Sequence, residues 1–323
     1  MPYVVKPPVI MIEPVEKPQC ALGLGCWAFG GSQWGGQEDE DSRAAMQAAY
    51  DLGVNHFDTA QGYGAGRSEN LVGEFLRDCR EEVYLATKFF PGEQTAQYAR
   101  DQLEISRQRL QTDYLDLFYI HWPKTGADLR PVMEGLEAER SKGRLLSIGV
   151  SNFSPEQMDQ VSEVGKIDAH QLCYNLFWRY PERDVIPYCV EHDIAVVTYS
   201  SIAQGILTGK FPKEPTFKEG DSRAGTVYFD AEVWPHVYEG VEKLKVLSGE
   251  CQRTLTHLAI RWVLAQPGIA SELVGARNAA QMQDNAAALD GEVPSDIFER
   301  MTEISEEVMS HIPDVGNIFR FYP

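Results

Sequence analysis

The sequence predicts an α/β protein, built as a single (β/α)8 TIM barrel with a long loop after strand seven. Eight short apolar runs alternate with amphipathic stretches, which is the pattern of a parallel sheet covered by helices. They divide roughly 270 residues into units of about 34 residues, the size of one βα repeat in a barrel. Polar residues also follow the runs at regular intervals, as expected where a barrel carries its site.

Each run is short and rich in Val, Ile, Tyr or Leu, and most are bounded by Gly, Asn or Asp, as buried strands are. The predicted strands are Ala21–Cys26, Val54–Phe57, Val83–Thr87, Leu115–Ile120, Leu145–Val150, Ala169–Tyr174, Ile194–Tyr199 and Leu273–Ala276. The predicted helices include Asp41–Leu52, Ser68–Asp78, Gln94–Leu110 and Pro131–Ser141. Ser154 and Gln157 predict a capping box at the start of another helix.

The chain has 323 residues, a length that suits either two domains or one large barrel. A doubly wound open sheet also has alternating strands and helices, so element spacing alone leaves it open. No central stretch resembles a linker, and we therefore expect one barrel domain over residues 1–323. Its outlying parts are an N-terminal extension or hairpin at 1–20, a loop insertion at 201–233, and a C-terminal helix and tail at 290–323.

The charge balance excludes several classes of partner. Lys and Arg number 29 against 48 Asp and Glu, giving a net charge of −19. Such a surface repels phosphate backbones and anionic membranes, so we expect neither nucleic acid nor membrane as a partner. The six cysteines show no spacing typical of a zinc site or a disulfide framework, and residues 1–18 do not resemble a signal peptide. We therefore expect a cytoplasmic protein without a bound metal.

Polar residues follow the predicted strands at nearly equal intervals. Asp58, Lys88, His121 and Asn152 are separated by 30, 33 and 31 residues. In a barrel these side chains would share one rim, where the chemistry of such folds takes place. A buried Lys88 needs a carboxylate partner, and Asp58 on the neighbouring strand is the obvious one. Taken singly, Asp58 could equally cap a turn, and His121 could be a core histidine.

Tyr63 lies in the glycine-rich loop Gln61–Gly66, which can bring a phenol hydroxyl close to a ligand. One interpretation is an exposed aromatic residue in a turn, and the other is a proton donor. Proton transfer near neutrality favours a pKa below the usual value of about 10. We expect the Lys88 ammonium to lower the pKa of Tyr63, Asp58 to keep Lys88 charged, and His121 to orient a carbonyl group.

These residues resemble the aldo-keto reductase superfamily, in its bacterial and potassium-channel-β-subunit-like branch. The resemblance extends in order over about residues 20–290. It is carried by Gly53–Ala60 with Tyr63-Gly64, by Lys88, by His121-Trp122-Pro123, by Gly149–Phe153 with Gln171 and Asn175, by Tyr199-Ser200 with Ala203–Lys210, and by Gly275-Ala276-Arg277 with Gln281 and Asn285.

The resemblance implies a barrel that binds NADP(H) and reduces small-molecule carbonyl compounds to alcohols by hydride transfer. It makes Tyr63 the general acid, Lys88 and Asp58 its tuning pair, and His121 the group that orients the carbonyl. Ser151, Asn152 and Gln171 would hold the nicotinamide carboxamide, and Tyr199 would stack on the ring. The remaining cofactor contacts would be Ser201, Lys210 and Arg223 at the pyrophosphate, and Gly275, Arg277, Gln281 and Asn285 at the adenosine phosphate.

Two further parts of the site are predicted from the residues. Asn278 and Gln281 suggest a capping box whose free N–H groups would meet Arg277 in an anion site. Trp27, Phe90 and Trp122 each lie next to a strand end and would line a substrate pocket or pack in the core. The aromatic tail, 319–322, would either close over that pocket or pack against a neighbouring chain, which leaves the oligomeric state open.

Other functions compete with carbonyl reduction. Lys88 could form a Schiff base in an aldolase, and His56, Asp58, His121 and His170 could bind a metal in a hydrolase barrel. Neither alternative explains Tyr63, the Ser151-Asn152 pair and Arg277 together. A cofactor-loaded barrel could also act as a non-catalytic regulatory subunit of a larger assembly.

Overall fold

Parallel strands close into a barrel at the centre of the protein. The structure is a computed structural model that describes residues 9–31 and 35–321. Its strands are β1 (Val9–Ile10), β2 (Gln19–Cys20), β3 (Leu22–Gly25), β4 (His56–Asp58), β5 (Tyr84–Phe89), β6 (Leu115–Ile120), β7 (Leu145–Ser151), β8 (Ala169–Cys173), β9 (Ala195–Tyr199) and β10 (Ile269–Gly275).

The helices that surround the barrel follow the strands in the predicted alternation. They are α1 (Asp39–Asp51), α2 (Arg67–Leu76), α3 (Ala96–Leu110), α4 (Arg130–Arg140), α5 (Pro155–Ser162), α6 (Val185–Glu191), α7 (Trp234–Glu250), α8 (Leu255–Leu264), α9 (Ala279–Ala287) and α10 (Ser295–Met309). The capping box of Ser154 and Gln157 starts α5 as predicted. Among the described ranges, no helix combines the length and apolarity that a membrane crossing needs.

The strand order confirms the predicted (β/α)8 TIM barrel. In the part of the chain that the structure covers, eight parallel strands close in the order β10-β3-β4-β5-β6-β7-β8-β9. The first and last barrel strands pair directly, with Leu22 beside Glu272 and Gly25 beside Gly275. This closure rules out the doubly wound open sheet, in which the two edge strands would stay apart.

Burial on both faces explains why the strands appear as continuous apolar runs. Tyr84, Ala86 and Tyr119 belong to the cluster that fills the lower barrel interior. Leu85 and Phe118, which alternate with them, pack outward against the helices. Because side chains alternate along a strand, the same register continues inward from Tyr84 and Ala86 to Lys88. The fold therefore directs this lysine into the barrel at the carboxyl end of β5.

A short antiparallel hairpin closes the opposite end of the barrel. Strands β1 and β2 pair Val9 with Cys20 and Ile10 with Gln19. Ile12 and Val15 lie between them and belong to the buried cluster of the lower interior. They pack among residues near the amino ends of the strands, on the side away from the rim where Lys88 lies. The hairpin thus contributes to the core and leaves the other rim accessible.

The segment after β9 is long, and aromatic side chains hold it together. It contains short 3-10 turns at Ala203–Thr208, Ser222–Gly225 and Val227–Phe229 before α7 begins. The ring of Phe229 lies 4.7 Å from that of Phe217 and 4.8 Å from that of Trp234, between centroids. This small aromatic core gives the loop a defined shape over the barrel rim.

Strand β10 begins earlier than the predicted run Leu273–Ala276, at Ile269. The polar residues Ser271 and Glu272 interrupt the apolar pattern, and this hid the first half of the strand. Glu272 is fully buried, and neither of its carboxyl oxygens has a hydrogen-bond partner among the described residues. Burial raises the pKa of Glu272 well above its usual value, because a charged carboxylate is poorly solvated there.

We expect Glu272→Gln to stabilise the protein increasingly as the pH rises. The unfolded chain ionises this group near its ordinary pKa, whereas the folded chain keeps it protonated to higher pH. The contribution of Glu272 to the free energy of unfolding is therefore fully present below the pKa that this group has in the unfolded chain. It decreases as the pH rises from there towards the higher pKa of the folded chain. The loss is at most about 1.4 kcal/mol per pH unit, and glutamine does not incur it.

Urea unfolding at about pH 5 and about pH 8 measures this difference. The gain in the free energy of unfolding should be larger at the higher pH. The matched control is Glu239→Gln on α7, which changes an exposed glutamate and should show no such trend. Equal effects of Glu272→Gln at the two pH values would contradict a buried, protonated Glu272.

Candidate active site

The carboxyl ends of three neighbouring strands bring the first site residues together. Asp58 is the last residue of β4, Lys88 lies near the end of β5, and His121 directly follows β6. Asp58 pairs with Ala86 in register, two residues before Lys88. Since parallel strands end on the same rim, all three side chains gather there.

Lys88 and Asp58 form a buried ion pair. Lys88 is fully buried and Asp58 is 2% exposed. The ammonium contacts Asp58 Oδ1 and donates a hydrogen bond to the Thr59 carbonyl oxygen at 2.8 Å. Gln171 Nε2, from β8, donates to the second carboxylate oxygen of Asp58 at 2.9 Å. Burial alone would lower the pKa of Lys88, but Asp58 and Tyr63 together outweigh burial, and the pKa lies above its usual value.

Tyr63 is held beside this ion pair by a tight turn. Its hydroxyl lies 3.4 Å from Lys88 Nζ. The turn Tyr63–Gly66 packs directly on the backbone of the first barrel loop, at Gly30. Gly64 has φ +63°, and a Cβ there would lie 2.3 Å from the Gly30 carbonyl oxygen. Only glycine fits this position, so the glycine-rich pattern serves close backbone packing that fixes Tyr63.

The expected lowering of the Tyr63 pKa is wrong. Burial raises the pKa of the Tyr63 phenol, and the attraction to Lys88 only partly offsets this effect. The sequence indicates a nearby cation but not how far the fold buries the phenol. A phenol with a raised pKa stays protonated through neutral pH, which is the form that a proton donor needs.

His121 is a neutral imidazole at the same site. It is 8% exposed, and burial followed by the charge of Lys88 holds its pKa well below the usual value. Its ring centroid lies 6.1 Å from that of Tyr63 and 4.8 Å from that of Phe90. Nδ1 has no hydrogen-bond partner among the described residues. Neutral His121 can therefore donate one hydrogen bond to an uncharged ligand.

A cavity of about 650 Å³ opens beside these groups and runs along the barrel rim. Most of the sequence-predicted site residues line it: Trp27, Asp58, Tyr63, Phe90, His121, Trp122, Gln171, Tyr199, Ser201, Lys210, Arg223, Gly275, Arg277, Gln281 and Asn285. Lys88, Ser151 and Asn152 are not part of its lining. They lie behind it, and Lys88 reaches the cavity through Tyr63.

Ser151 and Asn152 form part of the wall that supports the cavity. Asn152 has φ +62°, and its Nδ2 donates to the His121 carbonyl oxygen at 3.2 Å and to Ser151 Oγ at 2.9 Å. Its Oδ1 accepts a hydrogen bond from the Tyr199 hydroxyl at 2.7 Å. Asn152 is thus joined directly to Tyr199 by a hydrogen bond, and Ser151 is joined to Tyr199 through Asn152.

The far end of the cavity contains the predicted cations. Arg277 is held in place by Gly36 and Gln37, and its Nε donates to Gln37 Oε1 at 3.0 Å. Arg223 forms an ion pair with Asp221, with Nη2 and Oδ2 2.6 Å apart. Hydrogen bonds from Arg223 lower the pKa of Asp221. The cationic end therefore contains a carboxylate that the sequence-based prediction did not include.

The predicted capping box at α9 is only half formed. Asn278 Oδ1 accepts from the backbone N–H of Gln281 at 3.0 Å, as expected. However, Gln281 Oε1 accepts from the N–H of Arg277 at 2.8 Å, one residue before the predicted partner. Gln281 thereby helps to fix the Arg277 backbone.

Several cavity residues were missed in the sequence. Gln204, Thr256, Asp284 and Phe319 line it, and Asn317 contacts its Tyr199. The aromatic tail gave the one available signal, because it raised the question of a closed pocket. Phe319 of this tail lines the cavity, whereas Tyr322 lies outside the described residues. Gln204 lies within the segment Ala203–Lys210, which carries part of the family resemblance, but it was not singled out there. The others occur in unremarkable helical or loop sequence.

The metal-hydrolase alternative does not match the placement of its histidines. His170 contacts the backbone of Phe153 at 3.2 Å and faces away from Asp58, since Gln171 is the neighbour that contacts this carboxylate. Burial lowers the pKa of His56 to about 3 and that of His170 to about 4. Across the described ranges, no group of three or more His, Cys, Asp or Glu side chains surrounds a possible metal position.

Known proteins are similar to this chain in sequence. Aldo-keto reductase YhdN of Bacillus subtilis (strain 168) is 37% identical over 273 residues, covering 81% of this chain and 82% of that protein. The NADH-specific methylglyoxal reductase of Escherichia coli (strain K12) is 31% identical, covering 83% and 89%. A probable voltage-gated potassium channel subunit beta of Arabidopsis thaliana is 30% identical, covering 83% and 87%.

Solved structures give the same result. The glycerol dehydrogenase AKR11B4 from Gluconobacter oxydans matches with a TM-score of 0.84 and 30% identity, covering 95% of this chain and 96% of that one. An aldo/keto reductase from Klebsiella pneumoniae, solved in complex with NADP and acetate, matches with a TM-score of 0.73 and 26% identity, covering 89% and 92%.

The family model for aldo/keto reductases matches residues 21–306, which includes every barrel strand. The resemblance noted in the sequence is therefore confirmed, as is the expected nicotinamide cofactor, because the family uses NAD(P)H. The chain belongs to the aldo/keto reductase family of oxidoreductases, which act on carbonyl compounds.

Proposed function

We propose that the protein is an NADPH-dependent reductase of aldehydes and ketones, with Tyr63 as general acid. The observation that carries the proposal is the position of the Tyr63 hydroxyl. Tyr63 lines a ligand-sized cavity, and its hydroxyl lies 3.4 Å from the ammonium of Lys88, which is fully buried behind it. Neutral His121 lies beside Tyr63, with the ring centroids 6.1 Å apart. These groups can orient a carbonyl oxygen and give it a proton.

The residues along the cavity suit a dinucleotide cofactor. Ser201 Oγ and Gln204 Oε1 are buried polar atoms with no hydrogen-bond partner in the described chain, and both residues line the cavity. They fit a polar ligand that follows the rim towards the cations. Gln171 and Tyr199 would hold the nicotinamide end from the cavity wall, with Ser151 and Asn152 behind them. The phosphate and adenosine end would be held by Ser201, Lys210, Arg223, Gly275, Arg277, Gln281 and Asn285. The bound cofactor supplies the hydride.

The protein residues manage the proton. Tyr63 is protonated at neutral pH and donates to the carbonyl oxygen as the oxygen becomes an alkoxide. Lys88 stabilises the phenolate that remains, and Asp58 together with Gln171 keeps Lys88 charged and fixed in place. His121 donates a hydrogen bond that orients the carbonyl. The reverse reaction, alcohol oxidation, requires the phenolate and should therefore increase towards alkaline pH.

Aromatic side chains suit a substrate that is uncharged and partly apolar. Trp27, Phe90, Trp122 and Phe319 line the cavity around His121. The rings of Trp27 and Tyr63 are stacked with centroids 6.1 Å apart. Aromatic and short aliphatic aldehydes are the class that such walls favour. A cytoplasmic location and the lack of nucleic-acid and membrane partners remain predictions from the sequence.

The Schiff-base aldolase is the weaker alternative. Lys88 does not line the cavity, and its ion pair with Asp58 keeps it an ammonium, which is not nucleophilic. A non-catalytic subunit is supported only by the similarity to probable potassium channel β subunits. It would have no use for a protonated Tyr63 beside a buried cation.

Tyr63→Phe should reduce aldehyde-dependent NADPH oxidation by about 10²–10⁴-fold, because the proton donor is lost. The dissociation constant of NADPH should stay unchanged, since the ring is retained. Absorbance assays and fluorescence titration measure the two quantities, and Tyr50→Phe on α1 serves as the matched control. The wild-type rate should be constant between about pH 6 and pH 8.

A near-native rate in Tyr63→Phe would overturn the mechanism. Borohydride trapping of a substrate on Lys88 would establish the aldolase instead. NADPH binding without turnover of any carbonyl compound would establish the regulatory subunit.

Arg277→Ala should raise the dissociation constant of NADPH by about tenfold to a hundredfold, the effect of one lost hydrogen bond to a charged group. The affinity for NADH should fall much less, because NADH lacks the 2′-phosphate that Arg277 is proposed to bind. Fluorescence titration with both cofactors measures this difference, and Arg300→Ala on α10 removes a matched but distant arginine. Equal losses for the two cofactors would contradict the phosphate assignment.

A further inference from the structure

The C-terminal tail returns to the barrel rim and places Phe319 in the lining of the active-site cavity. After α10 the chain passes beneath the loop that follows β9, and the Val227 N–H donates to the Ile318 carbonyl oxygen at 3.0 Å. Arg320 forms an ion pair with Asp230 of the same loop. Ile318 is fully buried. These contacts fix the tail next to the cavity.

Asn317 carries the polar contact between this tail and the site. It is 6% exposed, and its Nδ2 donates to the Tyr199 hydroxyl at 2.9 Å and to Asn152 Oδ1 at 3.3 Å. The Tyr199 hydroxyl in turn donates to Asn152 Oδ1 at 2.7 Å. Each polar atom uses its ordinary bonding capacity, since an amide nitrogen has two donors and a phenol both donates and accepts.

The orientation of the Asn317 amide is also fixed from the other side. The Phe319 N–H donates to Asn317 Oδ1 at 3.1 Å. A rotated amide would place its nitrogen against this N–H and its oxygen against Asn152 Oδ1. Only one orientation satisfies all the contacts, so Nδ2 must face Tyr199 and Asn152.

The same tail forms part of the proposed substrate wall. The Phe319 ring lies 5.8 Å from that of Trp27 and 6.4 Å from that of Trp122, between centroids, in edge-on contacts. Phe319 lines the cavity, and Asn317 lies two residues before it. The short backbone between Asn317 and Phe319 thus connects the proposed substrate wall to Tyr199 and Asn152, which belong to the proposed nicotinamide site.

We propose that Asn317 is a positioning residue for carbonyl reduction, which holds Tyr199 and Asn152 in the orientation that receives the nicotinamide. This inference rests on the proposed function. Two hydrogen bonds hold the Tyr199 hydroxyl, the one it donates to Asn152 Oδ1 and the one it accepts from Asn317 Nδ2. Asn317 bonds both partners, so it fixes the orientation of Tyr199 and Asn152 together. Asn317 acts through these two residues and contacts no reacting atom.

A double-mutant cycle with Tyr199 tests this role. Asn317→Ala should raise the dissociation constant of NADPH by about threefold to tenfold, the effect of one or two neutral hydrogen bonds. The same change in a Tyr199→Phe background should cost less than about twofold, because the hydroxyl that Asn317 holds is gone. Fluorescence titration of the cofactor-free protein with NADPH measures all four constants.

A split between kinetic constants separates positioning from a general effect on the tail. Asn317→Ala should lower kcat with little change in the KM of the aldehyde. Phe319→Ala should raise the aldehyde KM and leave NADPH affinity near its wild-type value. Arg300→Ala on α10, which removes an exposed ion pair with Glu250 away from the tail, is the control and should change neither constant.

Conservative variants keep the test valid if Asn317→Ala is poorly folded. Asn317→Asp is nearly isosteric and keeps the acceptor for the Phe319 N–H, but it replaces the donor with an oxygen. It should therefore weaken NADPH at least as much as Asn317→Ala. Asn317→Gln restores the donor and should recover part of the affinity if the longer side chain reaches Tyr199.

The possible results lead to different conclusions about Asn317. Equal losses from Asn317→Ala in the two backgrounds, or wild-type affinity in Asn317→Asp, would overturn the positioning role while leaving carbonyl reduction intact. A wild-type protein that neither binds NADPH nor reduces any aldehyde would overturn both proposals. Coupling in the cycle together with the expected kinetic split would support the role of Asn317.

Discussion

A buried ammonium is the constraint on which the active site depends. Lys88 is completely removed from water, so its charge is tolerated only if an anion and further hydrogen-bond acceptors surround it. Asp58 from β4 and the Thr59 carbonyl oxygen meet this requirement, and Gln171 from β8 donates to Asp58 and so holds the carboxylate in place. These groups come from strands on different sides of the barrel. The support that Gln171 gives to Asp58 therefore needs the closed barrel, and the positive charge beside Tyr63 needs the ion pair.

The rest of the site is built from loops placed on this rigid base. The glycine turn holds Tyr63 against the first loop, the segment after β9 covers the rim, and the C-terminal tail joins them through Asn317 and Phe319. The net charge of −19 describes the outer surface only. Within the cavity, Lys210, Arg223 and Arg277 gather at one end, with Asp221 beside them. A local cluster of cations can thus receive an anionic ligand on an acidic protein.

Sequence patterns predicted the barrel well because parallel strands buried on both faces leave continuous apolar runs. Leu115–Ile120 matches β6 residue for residue, whereas half of β10 was missed because Ser271 and Glu272 break the run. The spacing of Asp58, Lys88 and His121 predicted their convergence, since each marks the end of one repeat. The pKa of Tyr63 was predicted in the wrong direction, because a nearby cation can be inferred from spacing but the degree of burial cannot.

The sequence by itself determined the repeat, the family and the residue types available at the strand ends, because these follow from local periodicity and motif order. The tertiary structure alone decided which distant side chains meet. Asn317 is 118 residues from Tyr199 and 165 from Asn152, and no local pattern connects them. It likewise decided the burial of Glu272 and the balance of burial and charge at Tyr63. These properties depend on packing in three dimensions, which sets both solvation and the distances between charges.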